Sequence, residues 1–334
     1  MLRLALLLGL ALCAVGARAE SLNADRLGVV YNRDDKSSTL IAQYYAERRH
    51  VPPANVIGLS VPKQAFISRE ELKQLRAAML DRLPTSVESL LLVWSRPFAV
   101  ECMSITTAFA AGYQPGFCEA GCAATIRSPL YDSPGWLPAD TVGWLPAMLL
   151  PSDDEALARA VIDHGISADG SSPKGTVYLV RSQDKLRNVR APGYLSAEAL
   201  LAGRVSVEEL RTPVERPASG AIAYFTGVVQ VEELPLIGFL PGAAADHLTS
   251  YGGVLDKSTQ MSAVQWLKKG ATASYGTVTE PCNQVDKFPN PEVFMDWYLR
   301  GDTLLEAYWK SVAMPGQGLF IGEPLARPFG PQLP

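Results

Sequence analysis

The sequence predicts an α/β fold, a mainly parallel sheet with helices on both faces, carried by a single domain over residues 20–334. Three observations point to it. Short apolar runs alternate with helical patterns before residue 95 and again after residue 150. Those runs are apolar at consecutive positions rather than every second one, as strands covered on both faces must be. No internal repeat and no low-complexity linker divides the chain, which is long enough to bury a large core.

The elements follow in order. "DRLGVVYN" (25–32) is a strand ending in the polar loop "RDDKSS". A helical pattern over 39–49 starts from Ser37 or Ser38 as N-cap and stops at Pro52-Pro53. "NVIGLSV" (55–61) is a second strand. Ser68 and Glu71 form a capping box that opens an amphipathic helix over 68–83. "ESLLLVWS" (88–95) is a third strand, apolar on both faces. Residues 96–150 break the rhythm, being rich in Gly, Pro, Trp and Cys without a clean period. Coming after the carboxyl end of a strand, they read as a functional loop or cap, or equally as a surface insertion pinned by disulfides. The alternation resumes with a helix at 153–164, a strand at 175–182, a helical stretch at 195–211 and a strand at 220–229. A helix at 261–270, a strand at 271–278 and helices at 291–300 and 303–311 lead to the closing "GLFIGEPLARPF".

The first nineteen residues, with Arg3, an apolar run to Val15 and Ala17-Arg18-Ala19, have the form of a secretory signal peptide. Its apolar run is too short to span a bilayer, so the expectation is an exported protein, periplasmic or extracellular, without a membrane span after processing. The whole chain carries 30 basic and 34 acidic residues, and removing Arg3 and Arg18 leaves 28 basic against 34 acidic. With no basic stripe, nucleic acid is excluded as a partner class. No metal-ligand spacing and no phosphate-cradling glycine loop occurs, so neither a metal nor a cofactor is implied. The oligomeric state has no sequence signature.

Cys102, Cys118, Cys122 and Cys282 remain after processing, an even number that in an oxidising compartment predicts disulfides. Cys118 and Cys122 could close a small loop, leaving Cys102 and Cys282 paired or free. "RSQDKLRNVR" (181–190) gathers basic side chains beyond a strand end, suited to an anionic group or to plain solvation. His50 and His164 read as helix-end residues. His247 stands apart. It lies in "PGAAADHLTSYGGVL" (241–255), preceded by Asp246 and followed by Thr249, Ser250 and a Gly-Gly pair. One reading is an imidazole near a helix N-terminus, bonded to Asp246 or to backbone. The other is a functional corner at the carboxyl edge of the sheet, with Asp246 orienting the ring.

Five segments carry a resemblance: "VVYNRDDKSSTLIAQYYAERRHVPPANVI", "VECMSITTAFAAGY", "PGAAADHLTSYGG", "GATASYGTVTEPCN" and "EAYWKSVAMPGQGLFIGEPLARPF". Together they resemble an uncharacterised family of exported bacterial proteins from species that carry the exosortase protein-sorting system. That resemblance implies an association with envelope protein sorting and carries no established activity. Over the last third, "SAVQWLKKGATASYGTV" and "GLFIGEP" also resemble caspase-like cysteine peptidases of the gingipain type. This implies a caspase/gingipain-like α/β fold with 96–150 as a Cys/Gly/Pro-rich insertion.

The peptidase resemblance assigns roles. A histidine after one strand and a cysteine after the next make the dyad, with His247 as base, Asp246 as its orienting group and Cys282 as nucleophile. Ser250, Glu280 and Asn283 are then the substrate-binding candidates. The chain departs from the peptidase pattern at two places. Leu248 follows the histidine where Gly is usual, and Thr279-Glu280-Pro281 separate the strand from the cysteine. A second register sets "YFTG" (224–227) at the histidine loop, so that Asp246, His247 or Ser250 occupies a vacated nucleophile position. No Gly-x-Ser-x-Gly elbow surrounds Ser250. The sequence is therefore read as an exported peptidase-like hydrolase acting on a peptide or protein. The competing reading is a catalytically inactive caspase-like protein that binds a peptide or glycan.

Overall fold

The structure is a computed structural model that describes residues 21–117, 122–136, 142–256 and 258–331. The segment expected to be a signal peptide and Cys118 lie outside them.

A ten-stranded sheet forms the centre. In chain order its strands are β1 (Leu27–Asn32), β2 (Val56–Leu59), β4 (Ser89–Val93), β7 (Ala147–Leu150), β8 (Thr176–Arg181), β9 (Ser206–Arg211), β10 (Ala218–Thr226), β11 (Ile237–His247), β12 (Ala273–Thr277) and β13 (Gly318–Gly322). In space they run β2-β1-β4-β7-β13-β12-β11-β10-β8-β9. The pairs β1–β2, β1–β4, β4–β7, β11–β12, β10–β11, β8–β10 and β8–β9 are all parallel, whereas β13 is antiparallel to β12. The α/β architecture with a mainly parallel sheet is thus as the sequence predicts. The middle strands are buried along their whole length, which is why they read as unbroken apolar runs. A small second sheet orders β3 (Phe66–Ile67), β5 (Ala99–Val100) and β6 (Met103–Ser104) beyond the main one.

Helices cover both faces. On one side lie α1 (Lys36–Arg49), α4 (Glu155–Ala168) and α6 (Val264–Lys269). On the other lie α2 (Arg69–Leu80), α3 (Ile105–Ala111), α5 (Tyr194–Leu201), α7 (Pro291–Leu299) and α8 (Leu304–Ser311). The capping box of α2 forms as expected, Ser68 Oγ accepting from Glu71 N while Glu71 accepts from Ser68 N. Thr303 and Glu306 make a second one on α8. The N-cap of α1 is Asp35 rather than Ser37 or Ser38. Its carboxylate accepts from Ser38 N, while the Ser38 hydroxyl turns inward to the Val93 carbonyl.

Three other expectations are corrected. The stretch 195–211 is not one helix, because α5 ends at Leu201 and the remainder becomes the edge strand β9. His164 lies inside α4 rather than at its end. The segment 96–150 is more than a peripheral insertion, since its last four residues form β7, inside the main sheet beside β4.

At the amino edge of the parallel strands a buried ionic cluster joins distant segments. Arg49, at the end of α1, pairs with Glu323 just after β13 (2.8 Å) and with Asp169 after α4. The Tyr45 hydroxyl donates to the same Glu323 carboxylate (2.8 Å). This explains why the acidic residue of "GLFIGEP" is fully buried.

Candidate functional site

The carboxyl edge of the sheet is built from the loops that leave β8, β11 and β12. After β11 the chain turns at once, and Gly252 and Gly253 cross directly over Gly276 of β12. A methyl group on Gly276 would run into the backbone of both, and one on Gly253 would run into the Gly276 carbonyl, so Gly253 and Gly276 are there for the close approach of two segments of the chain. Thr277 Oγ1 fastens the turn by donating to the carbonyls of Thr249 (3.0 Å) and Ser250 (2.9 Å).

A pocket of about 240 Å³ opens at this edge, lined by Leu186, Arg187, Leu248, Thr249, Ser250, Glu280, Pro281, Cys282, Asn283 and Phe288. It therefore gathers Ser250, Glu280, Asn283 and Cys282 of the sequence-derived candidates. His247 and Asp246 do not line it. Both end β11 beneath the pocket, fully buried.

The environment of His247 is closed. Nδ1 accepts a hydrogen bond from the Trp266 indole N–H (3.0 Å), and Nε2 lies 3.0 Å from the Met261 carbonyl. An indole nitrogen can only donate and a carbonyl can only accept, so the ring is the neutral tautomer with its proton on Nε2. Burial pushes its pKa down to about 4, against the pull of the Met261 carbonyl and with help from the charges of Arg190 and Arg187.

Asp246 points the other way, because successive side chains of a strand face opposite sides of the sheet. Its carboxylate meets Arg190 (2.6 Å), and burial raises its pKa against that cation. Arg190 also donates to the carbonyls of Thr226 (2.5 Å) and Pro289 (3.1 Å) and lies over the Phe225 ring. The expected orienting contact from Asp246 to the imidazole is replaced by an ion pair on the opposite face.

Cys282 is joined to Cys122 by a disulfide, and Cys102 is disulfide-bonded as well. The expected disulfides are thus present, but Cys122 is not closed onto Cys118. In this state Cys282 carries no thiol, and the disulfide-bonded residue is part of the pocket lining. The geometry places the dyad's members near one edge without assembling them. Lys287 is fully buried with no hydrogen-bond partner for its Nζ among the described residues; burial lowers its pKa while Glu280 opposes the shift.

Pocket residues that the sequence did not propose as site candidates are Leu186, Arg187, Leu248, Thr249, Pro281 and Phe288. A signal existed for one of them, since "RSQDKLRNVR" marked a basic loop beyond a strand end. Its two roles separate in space, with Arg187 facing the pocket and Arg190 buried on Asp246.

No protein-family model matches the chain, and no curated protein matches it either.

Proposed function

We propose that this chain is an exported, caspase-like protein that binds peptides at the carboxyl-edge pocket without cleaving them. The observation that carries this reading is the pairing of an accessible pocket with disarmed chemistry. Ser250, Glu280, Asn283 and Arg187 surround a mostly apolar hollow, while the imidazole below has both nitrogens engaged and the sulfur is tied to Cys122. Thiol catalysis requires a thiolate within reach of a free base, and neither condition holds in this arrangement. A peptide is favoured over a glycan because Leu186, Leu248 and Pro281 give the hollow aliphatic surface, and Phe288, the aromatic lining residue, is buried rather than presented as a stacking face. Membership of the exosortase-associated family is proposed on the five sequence segments and would place this binding in envelope protein sorting. Export is supported by the leader-like N-terminus and the disulfides. In addition, no helix among the described residues is long and apolar enough to cross a membrane.

The test uses processed protein under non-reducing conditions with an elastase digest of casein, followed by mass spectrometry of retained and released peptides. The expected result is retention of intact peptides, abolished by Ser250→Trp at unchanged melting temperature. Failure to retain any peptide would overturn the binding reading. New cleavage products that vanish on both His247→Ala and Cys282→Ser would instead establish the hydrolase.

A further inference from the structure

We infer that the pocket receives the C-terminal residue of its peptide, an apolar side chain in the hollow and the free α-carboxylate on Arg187. This rests on the peptide-binding reading above and names the end of the peptide that is read.

The loop after β8 is fastened before any ligand arrives. Asp184 Oδ1 accepts from the backbone N–H groups of Leu186 (3.1 Å) and Arg187 (3.2 Å). Asn188 Oδ1 accepts from Ser182 N (3.0 Å), and the Ser182 hydroxyl bonds the Gly227 carbonyl (2.5 Å). A methyl on Gly227 would collide with the Arg187 carbonyl, so the loop rests directly on the end of β10.

On this support the Arg187 guanidinium is held at two nitrogens. Nε donates to Thr249 Oγ1 (3.1 Å) and Nη1 to Asp184 Oδ2 (2.8 Å). The Thr249 hydroxyl donates its hydrogen bond to Gln260 Oε1 (2.7 Å), so toward Arg187 it is the acceptor. Nη2 is the nitrogen that neither of these contacts uses, on a residue that lines the pocket, and a guanidinium fixed in this way matches a carboxylate.

The rest of the lining agrees with one apolar residue beside that carboxylate. Leu248, Pro281 and Phe288 form a buried apolar wall, and Leu186 stands at the rim 68% exposed, the most exposed of the large hydrophobic side chains described. A ligand side chain entering the pocket mouth would cover part of this leucine's apolar surface. The volume of about 240 Å³ suits a single side chain rather than a drug-sized molecule. Glu280 on the same lining disfavours a second negative charge, which selects against peptides ending in Asp or Glu.

The experiment measures fluorescence anisotropy of N-terminally labelled pentapeptides ending in Leu or Phe, each as the free acid and as the C-terminal amide. The free acid should bind about 10–100-fold more tightly than the amide, the range expected for one charge-assisted contact. Arg187→Met should erase that difference, and Arg187→Lys should restore part of it. Unlabelled leucine and phenylalanine added as competitors should displace the peptides only weakly. Equal affinity for acid and amide would overturn this inference and leave peptide binding standing, whereas no binding of either would overturn peptide binding itself. Displacement by a free amino acid as effective as by the unlabelled peptide would assign the pocket to amino acids instead. Should Arg187→Met fail to fold, the acid–amide comparison on the unaltered protein decides alone.

Discussion

Acidification should weaken the fold through His247, and the size of the effect follows from its surroundings. The imidazole is buried between the Trp266 indole and the Met261 carbonyl, where a second proton would have to displace the indole donor from Nδ1. Its pKa is held near 4 in the fold against an ordinary value of 6.5. Between those two values the unfolded chain binds a proton that the native state refuses. Stability therefore rises with pH across the window and is lost as pH falls through it. At about 1.4 kcal/mol per pKa unit, the whole window is worth about 3 kcal/mol, of which about 2 kcal/mol is lost between pH 7 and pH 5. Urea unfolding of the oxidised protein at pH 7, 6 and 5 measures this, with His247→Gln as the reference that keeps a donor and an acceptor but does not titrate. The stability gap between wild type and variant should shrink by about 2 kcal/mol over that range. A gap that stays constant would refute the neutral, doubly bonded imidazole.

Other outcomes are equally specific. Glu323→Ala leaves Arg49 buried without its main partner, and calorimetry should find a loss of about 3–5 kcal/mol. Gly276→Ala forces apart two backbones already in contact with it; a melting-temperature drop matching at least about 2 kcal/mol is expected, and an unchanged transition would contradict that packing. Cys122→Ser opens a link between residues 160 positions apart. Chemical denaturation should register a loss of about 2–5 kcal/mol, and free-thiol labelling should then detect Cys282. Finally, Thr303→Ala removes the N-cap of a capping box whose glutamate also holds the Ser21 hydroxyl (2.7 Å), so a cost of about 1 kcal/mol should appear in thermal unfolding.

Much of the fold lies in short stretches of chain, and those stretches were legible. The capping box at Ser68 and Glu71, the apolar run of β4 and the helices 291–299 and 304–311 are each decided by neighbours within a turn or a strand. Ser250, Glu280, Asn283 and Cys282 could also be placed at the carboxyl edge, because loops leaving parallel strands meet there. β7 was hidden, since four apolar residues flanked by Pro, Trp and Gly have no period to recognise. Strand or helix was the decisive question at 237–247. As a helix start, Asp246 could cap or orient His247; as the end of β11, the two adjacent side chains are sent to opposite faces. Only the tertiary structure then supplies their partners, Arg190 for one and Trp266 for the other. The same holds for Cys122 and Cys282, and for Arg187 and Thr249. Pairings across so many residues depend on strand order and register, which local sequence does not encode. By itself the sequence determined which segments become strands and helices and which loops share an edge. The tertiary structure decided that this edge carries a pocket over a silenced histidine, because burial and pairing, not residue type, set what each side chain can do.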